Sequence, residues 1–282
     1  FVKYVRTAHR RMLRQGYSEN LAKAAATSLA MVLDKQADFL SSLAVLKSSG
    51  GRGVVHTFGR QALPMVWDFA ESNPLNDQAA HWLGCLRQVV DNIRRISLDL
   101  AAKAYRGSAT SLQWADKLFD AIVTDPPYYD NVAYADLSDY FYVWLKRSIG
   151  FLYPEHFASL LTPKKHEAVA DATRHDSDRE RAARAYEEMM AQAFAEAGRV
   201  LKSGAPLVIV YAHKTTLGWA TLVDALRVAG FTVTDAWPID TETRGRLIAQ
   251  DTAALASSIF LVARRRDGQT TGSYEREVCP EL

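Results

Sequence analysis

Four consecutive residues carry the groups with the clearest chemical use: Asp125, Pro126, Pro127 and Tyr128. A carboxylate and a backbone carbonyl are both acceptors, and together they suit an NH2 group with two hydrogens to donate. The tyrosine ring offers a flat surface on which a base can stack. Proline fixes φ at about −65° and donates no hydrogen bond, so the two prolines set a rigid, extended exit from what precedes them. Asp and Pro are also common at ordinary strand–turn junctions, so the tetrad alone would favour a structural role. The aromatic that follows and the apolar run that precedes move the balance towards chemistry.

That run, Leu118-Phe119-Asp120-Ala121-Ile122-Val123-Thr124, predicts a short buried strand. Its carboxyl end would present the tetrad at the edge where open α/β sheets bind ligands. Downstream, the pattern predicts a helix over 178–200, a buried strand at Leu207–Tyr211, a helix over 219–229, and strands at Phe231–Trp237 and Ser258–Ala263. Their alternation argues for parallel strands with right-handed crossovers. His213, just past the second strand, then lies at the same sheet edge as Asp125. Upstream, Ala101–Tyr105 is a weak strand candidate followed by Gly107, Ser108 and Ala109, small residues that let a ligand approach the backbone. Ser138 and Asp139 would cap a helix from Tyr140 to Lys146, its aromatics packing against the sheet. Residues 150–176 read as an irregular loop in which Lys164 and Lys165 are candidates for phosphate contact.

The first hundred residues read as mostly helical. Lys3, Arg6, Arg10 and Arg14 recur at helical spacing on one face of a helix over 1–16. A solvated face is the commoner origin of such a stripe, and a phosphate-facing one is the alternative. Ser18 is a plausible N-cap for a long helix over 19–47, closed by the glycine-rich stretch 48–53, and a further helix is expected over 77–96. The chain thus divides into a mostly helical region at 1–100, an α/β portion at 101–266 and a flexible tail at 267–282.

With 282 residues, 48% hydrophobic and 23% charged, the composition is that of a soluble globular chain. No apolar run approaches ~20 residues, so neither a transmembrane helix nor a membrane partner is expected, and a cytoplasmic location is. The two cysteines, Cys85 and Cys279, lack Cys-x-x-Cys spacing, which argues against a zinc ribbon or disulfide framework. A net charge of +2 does not by itself identify a nucleic-acid binder.

Asp-Pro-Pro-Tyr after a hydrophobic strand resembles motif IV of the amino-methyltransferases that modify exocyclic amines of DNA bases. The longer run from Thr124 to Arg147, including Tyr128-Tyr129-Asp130-Asn131-Val132-Ala133-Tyr134, is more specific. It resembles a bacterial and archaeal family of adenine-specific DNA methylases carrying a DUF1156 domain, over about His56 to Arg264. The resemblance implies a Rossmann-like methyltransferase sheet, S-adenosylmethionine as methyl donor, double-stranded DNA as partner and no metal. It assigns the two N–H groups of adenine N6 to the Asp125 carboxylate and the Pro126 carbonyl, and places Pro127 in the same catalytic motif. Tyr128 would stack on the flipped base. Gly107, Ser108 and Ala109 match the loop that touches the donor's adenine, and Tyr129, Asn131 and His213 are candidate substrate contacts. Asp in the first motif position favours adenine N6; cytosine N4 enzymes more often resemble Ser-Pro-Pro-Tyr. The family's cofactor motif, resembling Phe-x-Gly-x-Gly after a strand, has no counterpart, since Gly50-Gly51-Arg52-Gly53 follows a helix. The expectation is a carboxyl-terminal part of a larger or split methylase, partnered by its missing amino-terminal portion or other defence-system subunits. The rival expectation is a catalytically silent DNA-binding or partner-docking module.

Overall fold

A computed structural model of the chain describes residues 1–46, 53–59, 62–68, 71–77, 80–96, 102–129, 132–213, 215–239 and 258–266. These form two compact units, Phe1–Ala104 with Ala133–Glu167, and Tyr105–Val132 with Ala168–Leu282. The glycine-rich stretch at 48–52, the tail 267–282 and the loop at 241–246 lie outside the described residues.

The first unit is helical: α1 (Val2–Arg14), α2 (Glu19–Phe39), α3 (Trp82–Arg95) and α4 (Tyr134–Ile149). Ser18 is the N-cap of α2, its hydroxyl accepting from the Leu21 amide at 3.4 Å. Ala22, Ala26 and Ala30 are buried along α2. With no side chain beyond Cβ, they let neighbouring helices come close, and Val5 of α1 and Ile149 of α4 pack on Ala26 and Ala30. The helix stops at Phe39, well before the expected residue 47. The Asp38 carbonyl accepts from both the amide and hydroxyl of Thr57, at 2.9 and 2.6 Å, which takes it out of the helical ladder. The expected helix over 77–96 begins at Trp82.

Two expectations for α4 are corrected. It starts at Tyr134, so Ser138 lies inside it and bonds back to the carbonyls of Tyr134 and Ala135 instead of capping. Its aromatics belong to the helical unit: the Tyr140 hydroxyl donates to the Ala37 carbonyl at 2.7 Å and that of Tyr142 to Ser159 at 2.8 Å. A phenol on a largely buried ring needs such an acceptor, which for Tyr140 is a carbonyl in the last turn of α2. Lys164, expected to be open for phosphate, instead donates to Asp139 at 2.6 Å with Asp136 at 3.9 Å. The expected loop over 150–176 contains short 3-10 turns at Gly150–Leu152 and Ala172–Arg174.

The second unit carries a four-stranded mixed sheet, β1 (Ile122–Thr124), β2 (Leu207–Tyr211), β3 (Phe231–Ile239) and β4 (Ser258–Arg265), in the order β1-β2-β4-β3. α5 (Arg179–Val200) and α6 (Thr216–Val228) connect them. β1 and β2 are parallel, whereas β4 runs antiparallel between β2 and β3. The all-parallel expectation fails there because β4 follows β3 in the chain, and pairing side by side needs no crossover when the strand reverses. The run 118–124 is also less of a strand than its composition promised. Only three residues pair, Phe119 makes one isolated bridge to Leu201, and Val123 is 70% exposed. Asp120, drawn outward to Lys202 at 2.5 Å, interrupts the run. Residues 102–105 are not strand. Asp178 caps α5 through the amides of Glu180 and Arg181, and holding those N–H groups keeps its carboxyl below the usual range. Tyr186, Met190 and Phe194 of α5 meet Leu207, Ile209 and Tyr211 of β2 and Leu222 and Leu226 of α6 in one core. No helix among the described residues is long and apolar enough to cross a membrane.

Candidate active site

β1 delivers the tetrad as expected at its carboxyl end, and the parallel β2 delivers His213 beyond its own, so both lie at one edge of the sheet. Asp125 is exposed and Pro126 buried. Among the described residues, the Asp125 carboxylate makes no hydrogen bond or ion pair and the Pro126 carbonyl accepts none. The next carbonyl is used differently. That of Pro127 accepts the hydroxyl of Tyr186 at 2.7 Å. Tyr186 is 1% exposed, and burial pushes its phenol above the ordinary value. A neutral, protonated phenol is the form that can donate this bond.

Around the turn the aromatic rings meet edge to face. Tyr128 lies against Tyr211 at 5.2 Å, Tyr129 against Tyr186 at 5.2 Å, and Tyr129 against His213 at 6.1 Å. Tyr129 has φ +37°, left-handed backbone that a tyrosine adopts only when its surroundings impose it. Here the Tyr129 carbonyl accepts from the Ala170 amide at 3.0 Å while its ring is wedged between Tyr186 and His213. The turn is therefore held from three sides.

His213 is positioned by the start of α6. The Thr215 amide donates to its Nδ1 at 3.2 Å, and the Trp219 indole donates to its carbonyl at 3.0 Å. Thr215 caps the same helix through Gly218. A Cβ at Gly218 would stand 2.2 Å from His213 Nδ1, so only glycine lets the imidazole lie over this turn.

Of the residues singled out from sequence, Tyr128, Tyr129 and His213 thus share one cluster with Pro127, and Asp125 and Pro126 sit beside it. Asn131 lies outside the described residues. Gly107, Ser108 and Ala109 form an exposed turn closed on itself, Ser108 bridging Ser111, and a Cβ at Gly107 would meet nothing within 4 Å. Sequence reasoning missed Tyr186 and Tyr211 as site residues because both count as core on their elements. The available signal was the hydroxyl itself: a tyrosine on an otherwise apolar helix face must find a partner for its O–H. Among the described residues no group of three or more His, Cys, Asp or Glu side chains is placed to hold a metal ion.

No family model matches the chain, and no curated protein matches its sequence. Among solved structures, a candidate DNA modification methylase from Thermus thermophilus is similar at 15% identity and a TM-score of 0.32, over 62% of this chain and 58% of that one. A second crystal structure of that protein gives 16%, 0.31, 62% and 59%. The [4+2]-cyclase SpnF is similar at 15% identity and a TM-score of 0.28, over 57% of this chain and 56% of that one. This chain spans less than two thirds of each, and likenesses of this size carry no argument about function.

Proposed function

We propose that the second unit is the target-base half of an S-adenosylmethionine-dependent DNA amino-methyltransferase acting on adenine N6, on a Rossmann-like methyltransferase sheet. One observation carries the reading. At the carboxyl end of β1, the exposed Asp125 carboxylate and the carbonyl of the buried Pro126 are two adjacent acceptors without a partner among the described residues, while the neighbouring Pro127 carbonyl is held by Tyr186. An exocyclic amine has two N–H groups to give such a pair. Its nitrogen is a poor nucleophile because the lone pair is delocalised into the ring. Accepting both N–H bonds draws electron density back onto the nitrogen and fixes the direction of the lone pair. Tyr128 would stack on the extruded base, and its edge-on contact with Tyr211 holds the ring plane. Catalysis on this side is orientation and electrostatics.

The donor supplies an electrophilic methyl group. The exposed turn at Gly107, Ser108 and Ala109 does not form a cradle for it, because nothing surrounds the position a side chain would take. That turn therefore does not fit a donor site. That same observation favours the second reading, a catalytically silent DNA-binding or partner-docking module of the same fold.

Base-modification sequencing of DNA incubated with the protein and S-adenosylmethionine tests the first reading, with Asp125→Ala alongside. N6-methyladenine with the wild-type chain and its loss in the variant are expected; full activity in Asp125→Ala would sink the assignment. Titration calorimetry with S-adenosylmethionine separates the second reading, since no heat of binding favours the silent module.

A further inference from the structure

We propose that the exposed basic face of α1 is a docking surface for the phosphate backbone of duplex DNA. Residues 1–18 contain Lys3, Arg6, Arg10, Arg11 and Arg14 and no acidic residue. All five basic side chains are exposed, and none forms an ion pair among the described residues. At ~100° per residue, Lys3, Arg6, Arg10 and Arg14 fall within about 80° of one another. From Lys3 to Arg14 the rise is about 16 Å, a length over which one DNA strand carries roughly five phosphates. Tyr4, 73% exposed, stands in the same helix.

Three neighbouring facts set this stripe apart from ordinary surface charge. Lys164, one of the two cations that the chain's pattern marked for phosphate, is already paired with Asp139. Arg94 and Arg184, exposed on other helices, face Asp91 and Glu180. The charges of α1 have no such partners, so a polyanion could bind them without first displacing a carboxylate. Nor is α1 available to a lipid surface in the usual way. An amphipathic helix binds a bilayer through its apolar face, and here Val5 and His9 on that face are 2% and 6% exposed, packed within the helical unit. The charged face is open.

The choice of DNA over another polyanion rests on the methyl-transfer reading; the choice of a polyanion rests on the helix. Fluorescence anisotropy of the full chain with a labelled duplex, from 50 to 200 mM salt, tests it. Lys3→Gln/Arg10→Gln/Arg14→Gln leaves the buried face intact and should lower affinity at least about tenfold at the lowest salt, with the slope of log K against log salt reduced by about 2.7. Lys3→Arg/Arg10→Lys/Arg14→Lys keeps the charges and should bind as wild type, as should Arg94→Gln. Three results overturn the inference: no duplex binding by the wild-type chain, an unchanged slope in the neutralised variant, or binding to anionic vesicles without binding to duplex. Methylation with unaltered binding in the neutralised variant removes this inference and leaves the methyl-transfer reading. Lost binding in that variant, with no methylation by any form, does the reverse.

Discussion

The two units differ in how completely their buried polar atoms are satisfied. In the sheet unit, the Tyr186 hydroxyl reaches the Pro127 carbonyl and that of Tyr211 reaches the Gly218 carbonyl, so the phenols under the turn have backbone partners. In the helical unit, both ring nitrogens of His9, one carboxylate oxygen of Asp34 and the side-chain oxygen of Gln36 are buried without a partner among the described residues. Unpartnered polar atoms cost about 1–3 kcal/mol each when buried. The difference locates rigidity: satisfied networks specify one geometry, and the sheet unit puts its network beneath the tetrad.

Four changes would break or sharpen this contrast. Phe194→Ala should cost about 3–5 kcal/mol, because Phe194 is 3% exposed in the sheet-unit core; chemical denaturation measures it, and a near-neutral result would mean that core does not support the site. Asp125→Ala should lower methyl transfer by about a hundredfold or more with little change in melting, since its carboxylate is exposed. Tyr186→Phe, which deletes only the oxygen over Pro127, should cost about 1–2 kcal/mol of stability; a loss of kcat larger than the change in KM would mark the bond as one that holds the acceptors in register. The fourth change belongs to the helical unit. Burial pushes Asp34 up to about 7 from 3.8. The folded state therefore holds a proton that the unfolded state releases between these values, and stability falls as pH rises across that window. Asp34→Asn, which has no such proton to hold, should flatten this dependence. Melting at pH 5 and pH 8 reads it, and a steeper slope in the variant would contradict the assignment.

Much of this was legible in the chain. Ser18 announced a helix start because a short side-chain acceptor before an apolar period does one job. Leu207–Tyr211 announced itself by an uninterrupted β-branched and aromatic run. What failed depended on partners remote in sequence. Thr57 ended α2, Asp139 took up Lys164, and β4 reversed beside β3. None of these has a local signature.

The same division holds at the tetrad. Residue types alone determined that Asp125 and Pro126 offer two acceptors and that the prolines stiffen the exit from β1, since those properties are covalent. Tertiary structure alone decided which carbonyl stays open. Tyr186, 59 residues after Pro127, takes one by bringing a buried phenol within 2.7 Å. Tyr129 is forced left-handed by neighbours on α5, after β2 and at Ala170. Hydrogen-bond occupancy and backbone strain are properties of packing, and a linear sequence records them only as a tyrosine whose hydroxyl must go somewhere.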